Sequence, residues 1–125
     1  MNAAIHQPPA LDHDAMMAQR FGVKLNADMR LERRIVWNLL LHLQANGFAL
    51  HSLFDGEENI PVTDPKAAME LIFNLDEAVV HVARDRRIYT IALIMGNGID
   101  IISDHSTASA NFDAMMDRFD AEDYT

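Results

Sequence analysis

From Val79 to Ser103 the chain reads VVHVARDRRIYTIALIMGNGIDIIS, and an antiparallel meander is the arrangement that satisfies it. β-Branched residues dominate both arms flanking Asp85-Arg86-Arg87, as a hairpin requires. Gly96-Asn97-Gly98 then tolerates the positive φ of a second tight return. With a three-residue loop, Met95 pairs with Ile99, Leu93 with Ile101 and Ile91 with Ser103. That register puts Tyr89, Ile91, Leu93, Met95, Ile99 and Ile101 on one apolar face. A two-residue loop would bring Asp100 and Asp104 onto the same face, where an unpaired carboxylate is costly. The three-residue register is therefore expected. The glycines lie between two strands, and neither GxGxxG nor GxxxxGK[ST] is present, so the loop does not read as a phosphate cradle at a helix N-terminus.

The rest of the chain supplies elements to cover that meander. In ADMRLERRIVWNLLLHLQANG, Leu31, Ile35, Leu39 and Leu43 recur every four residues, with Val36 and Leu40 widening the stripe. This spacing predicts a helix from Ala27 to Gly47, with Asp28 as N-cap and Gly47 as a left-handed C-cap. Trp37 is expected to be buried. Arg30, Arg33 and Arg34 crowd the N-terminal turns, unfavourably for the helix dipole, and call for compensation from the acidic surface. FALHSLF (48–54) reads as a strand with Phe48, Leu50, Ser52 and Phe54 on one side, and DGEENIPVTDP as a loop. Asp64-Pro65 caps a helix that should end near Asn74-Leu75. A final helix is expected over 109–119, and a less well signalled one over 11–21.

The expected fold is α+β, in the order α-α-β-α-β-β-β-α. Its four-stranded antiparallel sheet would be the three-strand meander with 48–54 at an edge, and the helices would pack on one face. A single domain is expected over 1–125, with a loose arm at 1–10 and a frayed tail at 121–125. The chain has 125 residues, half of them hydrophobic, and no cysteine, which excludes disulfides, thiolate metal sites and cysteine nucleophiles. No apolar run approaches the roughly 20 residues of a membrane span, and the start does not resemble a secretory signal. A cytoplasmic protein is expected. Its formal net charge of −9, from 19 acids against 10 bases, argues against direct nucleic-acid binding.

Chemistry-bearing residues gather on the second face of the meander. His81 is expected opposite Thr90, and Thr90 opposite Asp104, with His105 at the end of the row. A His-Asp pair there could serve a small hydrolase or contribute to a metal site; as an ordinary polar row it would need no function. Asp104-His105-Ser106 resembles a catalytic triad in composition only, because neighbours on a strand point to opposite faces. DGEEN lacks the spacing of a calcium loop, and no cofactor is implied. Asp113, Asp117 and Asp120, spaced i, i+4, i+7, form an acidic stripe that could imitate nucleic-acid phosphates. Val79, Ala92, Ile94 and Ile102 are apolar enough for a partner subunit to cover, and eight methionines suit adaptable packing. The favoured expectation is a protein acting through protein contacts, as a homodimer or accessory subunit. An acidic mimic inhibiting a DNA-binding protein is one alternative, and a His-Asp enzyme the other.

Overall fold

The computed structural model describes residues 27–107 and 109–125; the expected arm at 1–10 and helix at 11–21 lie outside them. The described elements are α1 (Ala27–Ala45), β1 (Ala49–Phe54), β2 (Asn59–Pro61), α2 (Pro65–Ile72), β3 (Glu77–Arg84), β4 (Arg87–Ile94), β5 (Ile102–His105) and α3 (Ala110–Asp117). Short 3-10 turns occupy Gly98–Asp100 and Ala121–Tyr124. The fold is α+β, but its antiparallel sheet has five strands in the order β2-β1-β3-β4-β5, not four. The strand missing from the expectation is β2, within the presumed loop. Asp55 accepts the Glu57 and Glu58 amides through Oδ1 at 2.8 and 2.9 Å, turning the chain back so that Leu53 pairs with Ile60. Three residues ending in proline are too few to display an alternating pattern. Since β2 takes the edge, β1 lies inside the sheet.

Strand β1 carries a bulge between Leu50 and Ser52, with His51 as the extra residue against β3. The bulge inverts the side-chain phase. Leu50 and Leu53 enter the core, whereas Ser52 and Phe54 pair with His81 and Val79. Uninterrupted alternation would have kept all the even positions together. Helix α1 ends as expected, with Gly47 at φ 83° and the Phe48 amide donating to the Leu43 carbonyl. Two of its arginines reach groups outside the helix. The Arg33 guanidinium lies 4.5 Å from the Phe73 ring centre, and Arg34 Nε donates to the Tyr124 carbonyl at 3.2 Å. That second contact belongs to a tail that is docked, not frayed: Tyr124 also stacks on Phe119.

One core joins the three described helices to one face of the sheet. Ile35, Leu39 and Leu43 from α1, Met69 and Ile72 from α2, and Phe112 and Met115 from α3 meet Val80, Val82, Tyr89, Ile91 and Leu93. Trp37 is buried as expected. The aromatic centre is Phe112, stacked on Tyr89 with ring centres 4.7 Å apart and edge-on to Phe48 at 5.3 Å.

The β4-β5 return departs from the expected register. Leu93 pairs with Ile102, Ala92 with Asp104 and Ile91 with His105, with an irregularity between Ala92 and Leu93. The cause lies in α1. Glu32, only 6% exposed, accepts both the Gly96 and Gly98 amides through Oε2 at 2.8 Å. Clamped in this way, the loop forms a 3-10 turn, and Met95 and Ile99 do not pair. Ile101 drops into the core while Asp100 and Asp104 stay exposed.

Candidate functional site

In β3 and β4 the residues alternating with the core positions form the sheet's second face. They stand in cross-strand layers: Glu77 with Ile94, Val79 with Ala92, His81 with Thr90, and Ala83 with Ile88. The turn between these strands is tight, with Asp85 and Arg86 at φ 52° and 66°, so the His81–Thr90 pairing is as expected. Bulge-shifted β1 adds Ser52 and Phe54. Ile88, half exposed at 50%, is the one large apolar side chain of this kind among the described residues.

A shallow concavity of about 590 Å³ opens at one end of this face. Phe54, Val79, Ala92 and Ile94 line it, and Asp55, Asp76 and Glu77 contribute carboxylates. The Asp55 carboxyl is held below the usual carboxylate range by the Glu58 and Glu57 amides, so the acidic character persists at neutral pH.

The expected row does not close into a catalytic unit. His81 faces Thr90, but Asp104 is opposite Ala92, so the third member is displaced along the strand. Thr90 is instead joined to Ser106: its amide donates to Ser106 Oγ at 2.6 Å, and the two hydroxyls lie 3.0 Å apart. Asp104 Oδ1 accepts the His105 amide at 2.8 Å. The His105 ring meets Phe112 edge-on at 5.8 Å, with Nδ1 2.9 Å from the Ser106 carbonyl. His105 thus packs against a core ring, and it lines with Asp104 a hollow of about 350 Å³ that His81 does not line. Among the described residues, no group of three or more His, Asp or Glu could hold a metal.

Sequence reasoning missed the actual partners of His81. Ser52, buried at 5%, bridges two imidazoles, with Oγ 3.1 Å from His81 Nδ1 and 2.9 Å from His51 Nδ1. A hydroxyl can donate to one ring and accept from the other, so the chain satisfies itself when both rings are neutral. The bulge that creates it leaves no alternating signal. Burial, followed by the nearby His51, lowers the His81 pKa from 6.5. The unfolded chain therefore binds this proton first as pH falls. The native state is expected to lose stability as pH drops through about 6.5, the loss levelling off below the depressed native pKa. Urea unfolding of the wild type and His81→Gln at neutral and mildly acidic pH measures this. The variant should show a flatter pH dependence; equal slopes would remove His81 as its source.

The acidic stripe is interrupted. Helix α3 stops at Asp117, and Asp120 caps the following 3-10 turn by accepting the Glu122 amide, so Asp113, Asp117 and Asp120 do not continue one helical spacing. Ile102 pairs with Leu93 and packs against the core, leaving Ile94 on the open face. Both sheet edges are short: β2 has three residues and includes Pro61, and β5 has four. Short or proline-bearing edges discourage strand addition. Among the described residues, no helix is long and apolar enough to cross a membrane.

Fold and surface define a small α+β domain that presents one partly apolar sheet face with an acidic concavity. No family model matches the chain, and neither do curated proteins or solved structures.

Proposed function

We propose that this protein is an acidic interaction module that works through protein contacts made by the second face of its sheet, with another copy of itself as the first partner. The observation that carries this reading is that Phe54, Val79, Ala92 and Ile94 share one face with exposed Ile88, which stands beyond the His81–Thr90 layer. Apolar surface gathered on one face favours association, whereas scattered apolar residues need no such explanation. The blunted edges leave the face as the better docking surface. The cytoplasm suits a cysteine-free chain, because a reducing compartment gives disulfides no role. A net charge of −9 leaves little attraction for a phosphate backbone.

Sedimentation velocity of the full chain over a wide concentration range tests this directly. The expected mass rises with concentration from 14.1 kDa toward twice that value. A monomer at every concentration would remove self-association from the reading.

A further inference from the structure

We infer that two copies pack face to face with their β3 and β4 strands antiparallel between copies, so that each Asp85–Arg87 tip lies over the acidic concavity of the other. This rests on the self-association reading above and specifies its geometry. At the hairpin tip stand Arg84, Arg86 and Arg87 with one opposing carboxylate, Asp85, and all four are exposed. Arg86 sits in the turn itself, whereas the Arg84–Arg87 pair alternates to the helix-side face, with Arg84 over the Phe48 ring. Three positive charges less one leaves +2. The other end of the sheet carries Asp55, Asp76 and Glu77 at the concavity, with Glu57 and Glu58 on the neighbouring turn. Strands of eight residues separate these ends by about 25 Å. That exceeds the Debye length of about 8 Å at physiological salt, so the ends act as two distinct poles.

Two kinds of two-fold axis can bring such faces together. An axis along the strands superposes like ends, setting arginines against arginines and carboxylates against carboxylates. An axis across the strands superposes opposite ends and pairs both poles twice. Charge complementarity selects the second. Apolar shape agrees with that choice. Ile88 stands on the open face next to the tip, paired with Ala83, while Ile94 lies at the concave end, paired with Glu77. The same rotation sets Ile88 of each copy into the hollow floored by Phe54, Val79, Ala92 and Ile94 of the other. Each copy supplies one projection and one hollow, so the assembly closes as a dimer. Four strand spacings by about 25 Å give a flat area on the order of 500 Å² per copy, below the roughly 800 Å² of a standard interface. The dimer is accordingly expected to be weak and concentration-dependent.

The absence of native cysteine makes orientation directly measurable by oxidative cross-linking. An equimolar mixture of Ile88→Cys and Ile94→Cys chains is expected to give the disulfide-linked 88–94 species. Ile88→Cys alone should give little self-linked product. In sedimentation, Arg86→Glu/Arg87→Glu and Asp76→Lys/Glu77→Lys should each weaken the homodimer by about tenfold, and a mixture of the two should recover wild-type affinity. Circular dichroism confirms that each variant is folded; Arg86→Gln/Arg87→Gln, expected to weaken the dimer less, serves as a milder second test. With the wild type dimeric, Ile88→Cys chains that link 88 to 88, or an affinity unchanged by both reversals, would overturn this geometry while leaving self-association standing. A wild-type monomer overturns both.

Discussion

Replacing Glu32 with alanine is expected to cost about 3 kcal/mol of folding stability, because two charge-assisted hydrogen bonds disappear at once. The carboxylate is nearly buried within α1, and one oxygen receives the Gly96 and Gly98 amides from a loop more than sixty residues away. Alanine cannot replace either contact and leaves the return between β4 and β5 without its anchor. Glutamine keeps an acceptor in nearly the same place but removes the charge, so its loss should be intermediate. Urea unfolding at unchanged m-value measures both. Hydrogen exchange gives the local signature: the Gly96 and Gly98 amides should exchange faster in Glu32→Ala while those of β3 keep their order of protection. A change within about 0.5 kcal/mol, the range of ordinary surface substitutions, would mean that the clamp follows the fold without stabilising it.

Phe112→Ala should be costlier still, at about 4 kcal/mol, the usual range for emptying a buried aromatic site. Phe112 is fully buried and touches three rings: stacked Tyr89, edge-on Phe48 and edge-on His105. Its removal forfeits burial, leaves a cavity and loses aromatic contacts worth about 1 kcal/mol each beyond area. Phe112→Leu should retain much of the burial but lose the stacking, for a smaller deficit. Near-ultraviolet circular dichroism distinguishes these contributions, since Tyr89 loses its fixed environment in both variants. A loss below about 1 kcal/mol in Phe112→Ala would show that the core collapses around the vacancy.

Legibility in the sequence followed how local the determinants are. Helix α1, its Gly47 terminus, the Asp64-Pro65 start of α2 and the β3-β4 hairpin depend on neighbours a few residues apart, and periodicity or capping chemistry exposes such features. Strand β2 depends on Asp55 organising a short turn and on pairing with β1, for which three residues offer no pattern. The β4-β5 register was missed because its cause sits in α1. Even so, Glu32 is spaced i, i+4, i+7 with Val36 and Leu39, so a carboxylate on the apolar stripe already called for a distant partner. The His81 environment was hidden by the His51 bulge. Alternation predicts which face a residue joins only while the strand is unbroken, and one extra residue moved Ser52 into contact with His81.

The turn at Asp85-Arg86 has a consequence for how the hairpin came to be built as it is. Both residues adopt the left-handed backbone that glycine or asparagine occupies freely. For an arginine, that conformation costs on the order of 1 kcal/mol, and a glycine at the same position would relieve it. The hairpin is therefore less stable than its own geometry permits, and the deficit falls where cationic side chains project furthest from the sheet. In the dimer geometry proposed above, stability and recognition pull in opposite directions at this one residue.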